Sequence, residues 1–169
     1  MGADYQQERL ETIGWVVGFI DGEGCFSVSL HRNPTTKLGW QIMPEFVATQ
    51  GAKSIQALEK LQSFFGCGRI FVNRRHDNHN ENLYRFCVRS FSDLKDKIIP
   101  FFRRYNLQTS KKKDFEIFSQ IIDLMNKKKH LTKEGTNEIV NLASKMNTKK
   151  RKRLFQESSE TTRRTTLIS

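Results

Sequence analysis

Asp21 and Glu23 lie two residues apart, each followed by a glycine, directly after the apolar run IGWVVGFI and directly before the alternating run CFSVSLHR. Carboxylate oxygens with few other ligands suit Mg2+, a hard cation that keeps several waters and takes one or two protein carboxylates. The two acids also stand where a helix should end. There the macrodipole is negative and disfavours a carboxylate by about 0.3–1 kcal/mol, so a positive group is expected beside them. Gly22 and Gly24 permit left-handed or tightly turned backbone, which lets the chain reverse and carry a carboxylate past the helix end.

The element that positions these acids is the helix before them. Residues 13–20 are apolar nearly all round, which predicts burial on more than one side. Gly14 and Gly18 fall one turn apart on one face, where missing side chains let a second helix backbone come close. Glycine costs about 1 kcal/mol in a helix interior relative to alanine, so the pair implies a packing need.

The rest of the chain alternates between strand and helix patterns. Residues 25–32 and 40–49 show period-two alternation. The first places Phe26, Val28 and Leu30 on one side and Ser27, Ser29 and His31 on the other; the second places Trp40, Ile42, Phe46 and Ala48 inward and Gln41, Met43, Glu45 and Val47 outward. Pro44 predicts a sheet edge or an interrupted ladder. Residues 53–65 have helical spacing, with Gly66 as C-cap. Two more strands follow at 68–75, with Arg69, Phe71, Asn73 and Arg75 outward, and at 83–90, with Arg85, Cys87 and Arg89 outward. Helical patterns over 92–104, interrupted by Pro100, over 111–125 and over 132–146 complete the domain. The order αββαββα followed by helices predicts an α+β fold, an antiparallel sheet covered by helices on one face. Residues 1–147 read as one domain and 148–169, with KKRKR and a Ser/Thr-rich run, as a basic mobile tail.

The sequence IGWVVGFIDGEG, with its following strand and the downstream features, resembles the defining motif of the LAGLIDADG homing endonucleases. The resemblance covers most of residues 10–147. It implies a sheet that forms a saddle over double-stranded DNA, and motif helices from two units packed together. One motif copy implies a homodimer with Gly14, Val17 and Gly18 at its interface, acting on a long, partly palindromic target. Glu23, matching the final motif acid where Asp is more typical, is implied as the catalytic metal ligand for Mg2+, with Mn2+ or Ca2+ able to occupy the site. Asp21 and Gly22 take supporting roles. Gln50 and Lys111 match the polar surroundings of the family's active site, and Lys112 or Lys113 fits the lysine position by alignment too. For base reading the outward strand residues Ser27, Ser29, His31, Gln41, Arg69, Asn73 and Arg75 are the candidates, while Lys149 and Arg151 suit phosphates. Two other readings keep the fold: a maturase acting on intron RNA, and a DNA-binding regulator without catalysis.

Composition bounds these readings. The 169 residues hold 29 Lys and Arg against 18 Asp and Glu, a net charge of +11. That excess favours a polyanionic partner. Cys25, Cys67 and Cys87 are an odd set without C-x-x-C pairing, as expected of reduced thiols in an intracellular protein, whether organellar, bacterial or nuclear. No apolar stretch approaches 18 residues, so no membrane partner is expected. His76 and His79 are three apart, but no cysteine or acidic ligand set accompanies them, and a metal site there is not expected.

Overall fold

The apolar run at 13–20 belongs to a longer helix than its pattern indicates: α1 spans Ala3–Glu23. Its first half is rich in good helix formers and solvated on every side, so it lacks the apolar stripe by which helices are recognised. The computed structural model describes residues 3–73, 82–146 and 165–167.

From the end of α1 the chain turns directly into β1 (Gly24–Arg32), which pairs antiparallel with β2 (Trp40–Gly51) from Gly24↔Ala48 to Arg32↔Trp40. A 3-10 turn leads into α2 (Ile55–Phe65). That helix ends as its glycine predicts, with Gly66 left-handed at φ 57° and its N–H donating to the Gln62 carbonyl. β3 (Arg69–Asn73) and β4 (Leu83–Val88) follow, and the sheet runs in the order β1-β2-β4-β3-β5. The expected αββαββα order is thus present. β5 (Thr165–Leu167) comes from within the segment read as a mobile tail and pairs with β3; residues 147–164 lie outside the described residues.

Pro100 does not break the helix that contains it. A short α3 (Phe91–Asp93), a π-helical stretch (Leu94–Ile98) and α4 (Ile99–Arg104) run on continuously. The wider turn just before Pro100 suits a residue that has no N–H to give to the i−4 carbonyl. α5 (Lys111–Asn126) and α6 (Lys133–Ala143) complete the helical layer, the latter capped by Thr132, whose hydroxyl accepts the Gly135 N–H.

One sheet face packs on the helices. Phe26, Phe46, Phe86, Phe102 and Phe118 are fully buried, with Phe26 stacked on Phe46 at 5.0 Å and edge-on to Phe102 at 5.7 Å. Offset and edge-to-face pairs of this kind add about 0.5–1.5 kcal/mol each beyond area burial. Ile13, Val16 and Ile20 carry one face of α1 into this core.

Two strand expectations need correction. Trp40, read as inward, is solvent-exposed at the start of β2, under the Arg32 guanidinium. Val47, read as outward, is buried between its cross-strand neighbours Cys25 and Cys87, so the outer face has its own apolar strip. Pro44 sits in an interior strand. The β4 ladder begins only at Phe46, however, so Pro44 has one strand neighbour, and the interrupted ladder is what the structure contains. Among the described residues no helix is long and apolar enough to cross a membrane.

The turn from α1 into β1 explains Gly24 differently from its expected left-handed backbone, since neither Gly22 nor Gly24 has positive φ. A Cβ on Gly24 would lie 2.5 Å from Ile20 Cγ2 and 2.7 Å from the Ile20 carbonyl oxygen. Glycine is needed there for close approach. Gly24→Ala is expected to lower unfolding free energy by about 1–3 kcal/mol, the usual cost of overpacking, read as a reduced urea midpoint with an unchanged m-value.

Candidate active site

The C-terminus of α1 meets the N-terminus of α5 at a joint built from polar groups. The Asp21 carboxylate accepts three hydrogen bonds, from the Gln108 N–H at 2.7 Å, the Thr109 N–H at 3.1 Å and the Thr109 hydroxyl at 2.8 Å. In return the Lys111 ammonium donates to the Asp21 carbonyl at 2.8 Å and to the Gly22 carbonyl. Lys111 is therefore the positive group that the end of α1 requires, and it satisfies carbonyls that have no partner within the helix. Lys112 and Lys113 are exposed on the next positions of α5. Of the three lysines, Lys111 is the one that bonds the end of α1.

Burial pushes the Asp21 carboxyl up, but the donors from Gln108 and Thr109 and the charge of Lys111 outweigh it and hold it below its ordinary value of 3.8. Asp21 thus has its acceptor sites occupied by the protein, which is a supporting role. Glu23 is different. It is the last residue of α1, exposed, and it makes no hydrogen bond or ion pair with other described residues. A solvated carboxylate with open oxygens fits a hard divalent cation. A single carboxylate makes an incomplete site, and no cluster of three or more His, Cys, Asp or Glu occurs among the described residues.

Gln50 joins this end of the molecule through strand register. Gly24 pairs with Ala48, so Gln50 lies two residues beyond the start of β1, alongside the α1–β1 turn. Glu23, Gln50 and Lys111 are brought to one end of the sheet, as the resemblance implies. Gly14, Gly18 and Gly22 form an open stripe on α1: a Cβ at any of them meets nothing within 4 Å, and Val17 flanks them half-buried. Sequence reasoning missed Gln108 and Thr109, which lie in a loop without periodicity. The long separation from Asp21 leaves no local signal.

The helix-free face of the sheet carries Ser27, Ser29, His31, Gln41 and Arg69, as predicted. Ser29 and His31 are hydrogen-bonded to each other at 3.0 Å, Ser29 reaches the Met43 carbonyl at 3.5 Å, and Gln41 accepts from the Asn33 amide at 3.0 Å. Asn73 is placed on β3 by its backbone; Arg75, His76, His79, Lys149 and Arg151 lie outside the described residues. Cys87 is buried on this same face. Its thiol is pushed up to about 12 by burial and by the nearby Glu45 carboxylate, so it stays protonated and unreactive. A hollow of about 620 Å³ lined by Trp40, Ile42, His130 and Leu131 lies toward the Arg32–Trp40 end of the β1–β2 ladder and has no acid in its lining.

Asp21→Asn keeps the shape but turns an amide N–H toward main-chain donors, and is expected to cost about 1–3 kcal/mol of stability. Because the folded carboxyl is held below 3.8, its contribution is present above that pH and lost as the pH falls through the folded value. Urea denaturation of wild type and variant between pH 7 and 3 should give a difference that narrows at the acid end.

Residues 16–122 match the model for LAGLIDADG endonucleases. The chain is 38% identical over 135 residues to a probable intron-encoded endonuclease 3 of Neurospora crassa, covering 79% of this chain and 24% of that protein. It is 31% identical over 117 residues to the homing endonuclease I-ApeII of Aeropyrum pernix, covering 69% and 66%. The chain spans about a quarter of the length of the Neurospora relative. Among solved structures, the homing endonuclease I-TnaI superposes with a TM-score of 0.75 at 44% identity, covering 84% of this chain and 92% of that one. The I-LtrWI LAGLIDADG homing endonuclease bound to target DNA does so with a TM-score of 0.74 at 38% identity, covering 80% and 44%. With the motif helix, its terminal acids and the αββαββα sheet all in place, the chain belongs to the LAGLIDADG endonuclease family.

Proposed function

We propose that this chain is a site-specific endonuclease that hydrolyses both strands of a long, partly palindromic DNA target as a homodimer, with Mg2+ as its metal. The observation that carries the reading is the exposed Glu23 at the end of α1, which has no hydrogen-bond or ion-pair partner among the described residues and lies next to the Gly22 carbonyl that Lys111 holds. Each chain supplies one such carboxylate. Two chains related by a twofold axis along the Gly14–Gly18 face bring two together, which is the number a Mg2+ site with retained waters takes.

A bound divalent cation supplies Lewis-acid activation of water and charge stabilisation for the leaving 3′ oxygen. Glu23 holds and orients that charge through its carboxylate. Lys111, anchored on the Asp21 and Gly22 carbonyls, keeps a fixed positive charge beside the phosphate and fixes the end of α1 against α5. Gln50 offers an amide that can both donate to and accept from water at the same end of the sheet. In the reaction the water oxygen would bond to phosphorus and give up a proton to solvent, the P–O3′ bond would break, and the 3′ oxygen would take up a proton from solvent to leave as a hydroxyl. Support for the DNA substrate comes from the charge of +11 and from the relatives I-SmaMI and I-LtrWI, solved with DNA.

Glu23→Gln is expected to lower cleavage by at least a thousandfold while leaving DNA affinity within a few-fold, measured by cleavage and gel shift on a site selected from a randomised duplex library. Binding without cleavage by the wild type as well would move the reading to a maturase or regulator. Gly18→Leu places a branched side chain on the open stripe and should convert the dimer to monomer in sedimentation velocity; an unchanged sedimentation coefficient would place the subunit contact elsewhere.

A further inference from the structure

Glu45 is the only acidic residue in the described strands of a strongly basic chain, and it stands on the sheet face that none of the described helices covers. A lone carboxylate there repels a polyanion. Its surroundings show a different use. One oxygen accepts from Arg85 Nη2 at 2.8 Å and the other from Arg89 Nε, so both oxygens are occupied and the side chain is 17% exposed. Arg85 and Arg89 remain 38% and 51% exposed. The Arg89 guanidinium also lies over the Phe71 ring, 6.0 Å from its centroid. Arg89 meets the carboxylate through Nε, whereas Arg85 meets it through the terminal Nη2. An arginine fixed by a carboxylate and an aromatic ring loses less rotamer freedom on binding than a free one.

We propose that Arg85 and Arg89 are specificity-determining residues that each read a guanine, and that Glu45 is the positioning residue that holds both guanidinium groups in place. This inference rests on the endonuclease reading and adds residues to its base-reading face that pattern alone did not select. Guanine presents O6 and N7 in the major groove, two acceptors that match an arginine fork. Because the two guanidinium groups converge on one carboxylate, they address neighbouring base pairs in each half-site. Phosphate contact alone needs no such orientation and carries no sequence preference.

The test is a binding selection from a randomised duplex DNA library with wild type, Arg89→Ala, Arg89→Lys and Glu45→Gln, each followed by affinity measurement across salt concentrations. Wild type should select guanines at neighbouring positions. Arg89→Ala and Arg89→Lys should each lose preference at one of them by roughly tenfold or more, and the lysine variant, which keeps the charge, should retain its non-specific affinity. Glu45→Gln removes a negative charge, so non-specific affinity should rise while preference at both positions falls. That opposite movement is not produced by loss of folding or by charge alone. If Glu45→Gln and Arg89→Lys leave every base preference unchanged, the cluster serves the sheet or phosphate contact and the inference is wrong. If wild type selects no sequence, the endonuclease reading fails as well.

Discussion

The ammonium of Lys111 on the last carbonyls of α1, with Asp21 holding residues 108 and 109 in exchange, is the contact that the working end of the molecule depends on. A helix that ends in two acids is electrostatically unfavourable at that end. One acid has its charge stabilised by donors from a loop nearly ninety residues later in the chain, and the carbonyls beneath it are bonded by a lysine from the same region. The two partners are reciprocal: the loop needs an acceptor and the helix end needs a cation. What remains is Glu23, carried past the joint and left open to solvent. Two carboxylates two residues apart thus stand in opposite settings, one tied into the joint and one exposed.

The joint also explains why the surrounding packing is so tight. Ile20, one residue before Asp21, is fully buried, and Gly24 must pass close over it to start β1. The end of α1 is therefore fixed on its inner side by dispersion and on its outer side by charge-assisted hydrogen bonds. The glycine face of the same helix has no such contacts among the described residues. A helix apolar nearly all round is accounted for by one face in the core and one face open.

Much of this was legible in the sequence because it is encoded locally. Alternation at 25–32 located β1 and its two faces, Gly66 located the end of α2, and the acids at a helix end called for a cation. Long-range pairing was not legible. Gln108 and Thr109 have no pattern to mark them, and the partnership of Glu45 with Arg85 and Arg89 requires knowing that β2 and β4 are neighbours. The solvated first half of α1 lacked the apolar stripe that marks a helix, and Val47 was misread because alternation assumes that an outer face is wet. A strip of three small side chains across the sheet is enough to bury it.

That strip divides the outer face into positions of two kinds. Val47 and Cys87 are buried against each other and tolerate little change, whereas Ser27, Ser29, Gln41 and Arg69 contribute almost nothing to the core on the opposite side of the sheet. The pleat of the strands keeps the two sets of side chains apart. Substitutions at the second kind can therefore accumulate without a stability threshold to stop them. A lineage built on this scaffold is free to change what its outer face presents while the phenylalanine core, the joint at Lys111 and the exposed glutamate stay as they are. Evolvability, in this chain, is a geometric property of a two-faced sheet.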